Sequence, residues 1–445
     1  HIFIYLRLKA DNILSVKLYL EDIMSKISRR AFTTGLIATS VATLAMPSIS
    51  LGAVPRVVVI GGGAGGATAA RYIAKDSGGA VHVTLVEASK RYYTCFFSNI
   101  YLGGFRNYGS IGHNYYGLAV NQGVNVVHEW AVSVDPANRI VKLGSGNTLY
   151  YDKLVVSPGI DLKYDSINGY SAAVQDKMPH AWKSGTQVQL LRNQVMNMKQ
   201  GGTFVMVPPP NPYRCPPGPY ERVSMIAHQF KQSNPTAKIV ILDPKPKFSK
   251  QGLFEAGWQK HYPGMIEWIS SEDHGGLKNV NASTMEFETD LDTFKADAAC
   301  VVPAQRAGAI AMAAGVNNGD WCPIVPASMQ SQADENIYVL GDASVAKSMP
   351  KSGFSANSQA KVAANHIRGA LTGSKVFDAR YSNTCWSLIA PDDDVKVGAS
   401  YVAGAEAIDV ESKFISQADD SSETRAANYQ ESIDWYNGIT ADMFS

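Results

Sequence analysis

The chain has 445 residues, more than one compact core accommodates, and its 45% hydrophobic and 18% charged residues exclude a disordered or fibrous protein. The formal net charge of +1 provides no broad positive field, so we expect no nucleic-acid partner. Five scattered cysteines without a C-x-x-C pair exclude a disulfide scaffold and a zinc ribbon, and the nine histidines lack ligand spacing, so we expect no metal site.

The N-terminal segment resembles a twin-arginine export signal. Arg29 and Arg30 precede an apolar stretch from Leu36 to Met46, which is too short to span a bilayer, and small residues follow near residues 50–53. Residues before Met24 resemble upstream translated sequence, because Met24 places the arginine pair where a signal carries its positive charges. We therefore expect residues 1–53 to lie outside the fold and the mature protein to be periplasmic.

A dinucleotide-binding βαβ unit follows the signal. Val57 to Ile60 predicts a buried parallel strand, Ala67 to Ala74 a helix, and Val81 to Glu87 a second strand. Between the first strand and the helix stand the glycines of a G-x-G-x-x-G motif, Gly61, Gly63 and Gly66. These glycines let a pyrophosphate approach the helix N-terminus, and Glu87 has the spacing of an acid that binds ribose hydroxyls. The alternative is a glycine-rich turn with a surface glutamate.

Further short apolar strands alternate with helix-length segments, which predicts a doubly wound α/β fold. We expect two Rossmann-like domains of the glutathione-reductase type and a C-terminal α+β interface domain. The predicted strands are Lys153–Ser157, Thr203–Val207, Lys238–Leu242, Ala298–Val302 and Ile337–Leu340. The predicted domains are residues 54–165 with 295–372 for FAD binding, residues 166–294 for the second nucleotide-binding-like domain, and residues 373–445 for the interface domain.

Two later segments favour FAD over NAD as the cofactor. Gly341 and Asp342 end an apolar strand and resemble the segment of two-dinucleotide-domain flavoproteins whose aspartate binds the ribityl and pyrophosphate part of FAD. Ser157-Pro158-Gly159 resembles the A-T-G turn of the same proteins. In the second domain the strand Thr203–Val207 runs into a proline-rich stretch, 208–217, where an NAD site would need glycines. We expect no NAD site there.

Four segments resemble the flavoprotein subunit of flavocytochrome c sulfide dehydrogenase. They are Tyr92–Asn99, Asn211–Arg222, Asn383–Ser387 and Trp435–Phe444. The resemblance implies a thioether from Cys95 to the 8α-methyl of FAD, a redox-active pair of Cys215 and Cys385, and a C-terminus with Trp435 near the flavin.

The resemblance also implies a reaction and a partner. Sulfide can attack a disulfide sulfur to give a persulfide and a thiolate, which passes electrons to the flavin. Single electrons then go to a c-type haem, and because the chain has no C-x-x-C-H motif, that haem must lie on a cytochrome c subunit, giving a heterodimer. Glu221, six residues after Cys215, is a candidate proton acceptor for hydrosulfide.

Several residues also admit simpler interpretations. Cys215 and Cys385 can form a structural disulfide, and Cys95 can be a buried free thiol. Glu221 can lie at the surface, and Trp435 can be a core residue. Cys300 and Cys322 are expected to be structural.

The C-terminal 70 residues predict short aromatic strands with solvated acidic turns at 392–394 and 419–420. Residues 427–445 carry no basic apolar face of the kind that anchors a helix to a membrane, so we expect no stable membrane insertion. A membrane-bound sulfide:quinone oxidoreductase, with the same fold and cysteine chemistry, is the alternative enzyme. A non-catalytic FAD-binding protein is the alternative of a different class.

Overall fold

The computed structural model describes residues 54–183 and 185–445, so the predicted signal in residues 1–53 lies outside the described residues. The strands are β1 (Arg56–Ile60), β2 (His82–Val86), β3 (Arg91–Tyr93), β4 (Gly112–Asn114), β5 (Asn125–Val127), β6 (Ala131–Asp135), β7 (Ile140–Leu143), β8 (Thr148–Tyr150), β9 (Lys153–Val156), β10 (Ile160–Leu162), β11 (Thr203–Val207), β12 (Lys238–Leu242), β13 (Ile266–Ile269), β14 (Leu277–Asn281), β15 (Glu286–Thr289), β16 (Thr293–Lys295), β17 (Ala298–Val301), β18 (Gln305–Ala307), β19 (Cys322–Pro323), β20 (Ile337–Val339), β21 (Ser344–Val345), β22 (Arg380–Ala390), β23 (Asp393–Ala403) and β24 (Ile408–Ile415). The helices are α1 (Ala64–Ser77), α2 (Ser98–Leu102), α3 (Tyr116–Gln122), α4 (Gln187–Met196), α5 (Gly218–Ser233), α6 (Gln251–His261), α7 (Ser271–His274), α8 (Ala309–Ala313), α9 (Gly353–Thr372) and α10 (Ser422–Phe444).

The first parallel sheet has the strand order β20-β9-β1-β2-β5. Its central strands β1 and β9 are apolar runs typical of parallel strands buried on both faces, and β1 is buried from Val57 to Ile60. Helix α1 connects β1 to β2 and packs on the sheet through small residues such as Ala67 and Ala70, both fully buried. The predicted βαβ unit is therefore confirmed, and its helix is longer than the predicted Ala67–Ala74.

The second parallel sheet has the strand order β13-β12-β11-β17. Strand β17 pairs with β11, from Phe204 with Ala298 to Val207 with Val301. The predicted domain boundary before residue 295 is therefore too early, since β17 completes the second sheet. An apolar strand such as β17 can pair in either buried sheet, so its composition does not show which strand it pairs with. After β17 the chain returns towards the first domain, where β18 pairs antiparallel with β10.

The C-terminal part is built differently from the prediction of short strands. Strands β22, β23 and β24 form an antiparallel sheet whose first two members have 11 residues each, and α10 spans 23 residues. The sequence pattern underestimated the length of these strands, because aromatic and polar residues interrupt the alternation of apolar residues along them. Within residues 54–183 and 185–445, none of the helices combines the length and apolar character needed to cross a bilayer.

The prediction of a solvated turn at residues 392–394 is wrong for two of the three aspartates. Asp392 is exposed and turns the chain with a left-handed φ of 58°. Asp393 and Asp394 begin β23 and are buried, with only 1% of Asp394 exposed. A bulge between Leu388 and Ala390 shifts the pairing of the two strands here. Both carboxyls thus turn into the protein, where other elements supply their partners.

Candidate functional site

The predicted dinucleotide motif forms a cradle at the N-terminus of α1. Gly61 has a φ of +95°, and a Cβ there would lie 2.2 Å from the Ser157 carbonyl oxygen. A Cβ on Gly66 would lie 1.9 Å from the Gly61 carbonyl oxygen. Gly63 caps the helix without a side-chain hydrogen bond, so the first N–H groups of α1 remain for a ligand. The cradle is shaped for a phosphate group.

A cavity of about 610 Å³ extends from this cradle and is lined by Gly61, Gly63, Glu87 and Asp342, all predicted from the sequence. The Glu87 carboxylate accepts hydrogen bonds from the N–H groups of Gly62 and Ser89, both at 2.8 Å, which hold it at the end of β2. Each carboxylate oxygen keeps a second lone-pair direction that can accept a ribose hydroxyl.

Asp342 indicates where a ligand binds in this cavity. Its Oδ1 is buried and has no hydrogen-bond partner within the described chain, whereas its Oδ2 lies 3.5 Å from Arg214 Nη1. A buried carboxylate oxygen is rarely left without a donor, so a ligand hydroxyl belongs here. Together with the glycine cradle and Glu87, this orphaned oxygen fits the ribityl and adenosine ends of FAD. Gly341 contributes the left-handed turn, with a φ of +70°, that presents Asp342 to the cavity.

A second cavity, of about 100 Å³, brings three cysteines together: Cys95, Cys215 and Cys385. Cys95 and Arg214 line both cavities, so the two adjoin at these residues. Cys95 follows β3 of the first domain, Cys215 precedes α5 of the second, and Cys385 lies on β22 of the C-terminal sheet. Residues far apart in the chain thus meet beside the flavin cavity, as the resemblance implied.

The cysteines of this cavity are free thiols in the structure. Cys215 adopts a left-handed φ of 60°, and its N–H donates to the Lys351 carbonyl at 2.8 Å. Asn383 Nδ2 lies 3.4 Å from Cys385 Sγ and can donate to it. Burial raises the pKa of both Cys215 and Cys385. Nearby acidic groups raise each pKa further, and a nearby cation lowers it. The site therefore disfavours thiolates unless a proton acceptor and a cation assist.

Glu221 is a carboxyl placed to serve as such an acceptor, and it is partly buried. It stands in the first turn of α5, lines the cysteine cavity, and accepts hydrogen bonds from Asn99 Nδ2 at 2.8 Å and the Leu388 N–H at 3.1 Å. Burial raises its pKa, partly opposed by those two hydrogen bonds. A carboxyl with a raised pKa beside thiols is suited to proton transfer.

Sequence reasoning missed a buried lysine at this site. Lys250 precedes α6, and its Nζ donates to the Cys385 carbonyl at 3.1 Å, to Ser387 Oγ at 2.8 Å and to the Val395 carbonyl at 2.9 Å. Burial lowers its pKa, and nearby acidic groups, Asp394 first, oppose that change. No local pattern distinguishes Lys250 from a surface lysine, because its partners come from two strands more than 130 residues later.

Trp435 lines the same cavity from α10. Its ring lies 5.2 Å from that of Trp386 and 5.5 Å from that of Phe96, centroid to centroid. Phe96 follows Cys95 and Trp386 follows Cys385, so Trp435 packs between the segments that carry two of the cysteines. The C-terminal helix thus reaches the cysteine cavity, and contact between Trp435 and a flavin stays a prediction. Cys300 and Cys322 are fully buried and do not line the cysteine cavity, and Cys300 Sγ accepts from Arg222 Nη1 at 3.3 Å.

In the second domain, aromatic rings fill the edge of the sheet beyond β11 and β12. Tyr220 stacks on Phe248 with centroids 3.7 Å apart. The buried carboxylate of Asp243, at the end of β12, accepts from Tyr220 Oη at 2.5 Å and Trp268 Nε1 at 3.0 Å, and pairs with Lys245 Nζ at 2.7 Å. Lys245 also donates to the Pro209 carbonyl of the proline-rich segment. These contacts occupy the acid that in an NAD site would face a ribose.

Three family models match the chain. Residues 55–198 match the pyridine nucleotide-disulphide oxidoreductase model, residues 188–303 the central region of the sulfide dehydrogenase (flavocytochrome c) flavoprotein chain, and residues 377–444 the flavin-binding region of flavocytochrome c sulphide dehydrogenase. The last two include Cys215 and Cys385, respectively. The chain belongs to the flavocytochrome c sulfide dehydrogenase flavoprotein family. The resemblance found in the four sequence segments is thereby confirmed, and so is the flavoprotein fold.

Related proteins of other families share the fold. The mitochondrial sulfide:quinone oxidoreductase of Mus musculus is 24% identical over 188 residues, a match that spans 42% of this chain and 41% of that protein. The sulfide:quinone oxidoreductase of Aquifex aeolicus superposes with a TM-score of 0.66 at 16% identity, covering 87% of this chain and 92% of that one. An NAD-dependent persulfide reductase from A. fulgidus gives a TM-score of 0.59 at 18% identity, covering 85% and 77% of the two chains.

Proposed function

We propose that this flavocytochrome c sulfide dehydrogenase family member oxidises sulfide at the cysteine cavity and passes the electrons to a cytochrome c. The observation that carries the proposal is the meeting of Cys95, Cys215 and Cys385 in one cavity that adjoins the cavity shaped for FAD. Bound flavin would supply a two-electron acceptor that can release its electrons singly.

The two cysteines from different domains take the sulfur chemistry in this proposal. In the oxidised enzyme Cys215 and Cys385 are joined as a disulfide, and hydrosulfide attacks one of the two sulfurs. A sulfur–sulfur bond forms to that cysteine, the original disulfide breaks, and its electron pair stays on the other cysteine as a thiolate. Glu221, partly buried in the cavity that holds both thiols, accepts the proton released by hydrosulfide or persulfide.

Cys95 is the proposed point of covalent flavin attachment. It lines both cavities, so a tether at this residue would hold the flavin at the boundary between the phosphate cradle and the redox cysteines. A tether also fits a flavin that turns over repeatedly in an exported protein. The export itself remains a proposal drawn from residues 28–53, and so does the periplasmic location.

The haem acceptor is proposed to lie on a separate cytochrome c subunit, because this chain has no C-x-x-C-H motif. The relation to sulfide:quinone oxidoreductases makes a quinone the acceptor to test against it.

The experiment is anaerobic stopped-flow mixing of the flavin-loaded protein with micromolar sulfide, followed by a second mixing with either cytochrome c or a soluble quinone. We expect sulfide to bleach the flavin and cytochrome c to restore its colour much faster than quinone does. Faster reoxidation by quinone would assign the quinone activity instead. A flavin that stays oxidised under sulfide would contradict the enzymatic proposal and leave a flavin-binding protein.

A further inference from the structure

The acidic turn at residues 392–394, expected to be solvated, places one carboxyl inside the cysteine cavity. Asp394 is 1% exposed and lines the cavity together with Cys215, Cys385 and Glu221. Its Oδ1 accepts the Ser387 N–H at 3.2 Å. Asp392, two residues earlier, is exposed in the turn. The same short acidic run therefore contains one surface carboxylate and one carboxyl enclosed with the redox cysteines.

Asp394 and Glu221 accept hydrogen bonds from two consecutive backbone N–H groups of β22, the strand that carries Cys385. The Ser387 N–H holds Asp394, and the Leu388 N–H holds Glu221 at 3.1 Å. Strand side chains alternate between faces, so Ser387 shares the face of Cys385. One short piece of β22 thus fixes a thiol and two carboxyls, supplied by β23 and α5, around a single enclosed space.

The ammonium group of Lys250 contacts the same segment of β22, where it donates hydrogen bonds to the Cys385 carbonyl and Ser387 Oγ. Two carboxylates enclosed together repel each other and lose solvation, which favours one proton held between Asp394 and Glu221. Lys250 opposes this effect at Asp394. Arg222, whose guanidinium donates to Asn99 Oδ1 and to the carbonyls of 180 and 181, opposes it at Glu221.

We propose that Asp394 is a second proton acceptor of the cysteine cavity and that it works with Glu221 as one acid–base unit. This inference rests on the proposed sulfide chemistry. After hydrosulfide has formed its bond to one cysteine and the other has left as a thiolate, the S–H proton of the new persulfide moves to the carboxylate of this unit. The persulfide becomes an anion, the carboxylate becomes a carboxylic acid, and no oxidant beyond the cysteine disulfide is needed.

The surroundings of Asp394 agree with this role. Burial raises its pKa well above the ordinary value, opposed by Lys250 and by the Ser387 N–H, and Glu221 adds to the rise. The charged and titratable groups near it are Lys250 before α6, Glu221 of α5, Tyr429 of α10 and Asp393 of its own strand, and Cys385 of β22 lines the same cavity. The unit can accept a proton only above its apparent pKa, so the rate of the sulfide step should rise with pH.

The first test is kinetic and compares Asp394→Asn with Asp392→Asn. We expect Asp394→Asn to slow flavin reduction by sulfide roughly 100-fold, at the lower end of the contribution of a positioned proton acceptor. It should also flatten the rise of the rate with pH, and Asp394→Glu should restore part of both. The control Asp392→Asn, at an exposed left-handed position that asparagine tolerates, should match wild type. Equal rates and pH profiles for the two asparagine variants would overturn the proposal.

The second test needs no sulfide turnover, so it separates this inference from the proposed function. Infrared difference spectra of the flavin-loaded protein across a pH series should show the carbonyl band of a buried carboxylic acid. The band should be lost or strongly reduced in Asp394→Asn and unchanged in Asp392→Asn. If Asp394→Asn fails to fold, wild-type protein labelled with ¹³C-aspartate replaces it, and the band should shift. A band unchanged by the asparagine variant, or by the aspartate label, would overturn the role of Asp394 even if sulfide reduces the flavin.

Discussion

The cradle for the flavin phosphates gives a prediction about stability. Its magnitude follows from a comparison of two glycines with similar φ values. Gly61 and Gly79 have φ values of +95° and +87°. An alanine at either position incurs backbone strain of about 1–2 kcal/mol, because the left-handed region is unfavourable for a residue with a Cβ. Only Gly61 adds a steric conflict, since its Cβ would lie 2.2 Å from the Ser157 carbonyl oxygen, whereas no atom lies within 4 Å of a Cβ on Gly79.

The backbone conflict forces β1 and β9 apart at the cradle, which we expect to cost about 1–3 kcal/mol more, as overpacking does elsewhere. Gly61→Ala should therefore destabilise the protein by about 2–5 kcal/mol and Gly79→Ala by about 1–2 kcal/mol. Urea unfolding followed by tryptophan fluorescence, with the flavin-to-protein absorbance ratio of each purified variant, measures both effects. We expect Gly61→Ala to have the lower midpoint and little flavin. Equal midpoints and equal flavin content in the two variants would refute the assignment of the cradle.

The other predictions concern the chemistry of the two cavities. Cys215→Ser should keep its flavin but lose reduction by sulfide, whereas Cys322→Ser, a buried cysteine elsewhere, should keep the rate; a near-normal rate in Cys215→Ser would count against the redox pair. Cys95→Ala should release its flavin into the supernatant on acid precipitation, and wild-type protein should precipitate yellow; a colourless wild-type pellet would rule out the covalent link. Glu221→Gln should slow sulfide oxidation and flatten its rise with pH, because the raised pKa of Glu221 leaves it unable to accept a proton at low pH; an unchanged profile would assign Glu221 a structural role. NADH should not reduce the flavin, and rapid NADH oxidation would contradict the interpretation of the proline-rich segment 208–217.

The sequence predicted the parts of the fold that local chemistry specifies. Strands β11 and β12 have the predicted bounds, and β1, β9, β17 and β20 differ from theirs by one residue at one end. Such strands are short apolar β-branched runs, which this fold buries on both faces. The glycine motif could also be predicted from the sequence, because a residue with a Cβ at position 66 would clash with the Gly61 carbonyl.

The parts that sequence reasoning missed depend on contacts between distant segments. Lys250, Asp394 and Arg214 resemble surface residues in the sequence, yet each is enclosed by elements from other domains. Arg214 in particular pairs with Asp342, more than 120 residues later, and its N–H donates to Gln305 Oε1 at 2.9 Å. The resemblance to a family supplied the cysteines, the position six residues after Cys215 suggested Glu221, and the structure supplied the charged groups that surround them.

Peptide mass mapping of the flavin-loaded protein tests most directly whether Cys215 and Cys385 act as a redox pair beside a flavin on Cys95. In the oxidised protein we expect a disulfide-linked peptide pair that contains Cys215 and Cys385, and an FAD adduct on the Cys95 peptide. After one equivalent of sulfide, alkylation should reveal a persulfide on one of the two cysteines. Recovery of both cysteines as alkylated free thiols from the fully oxidised protein would contradict the proposed chemistry.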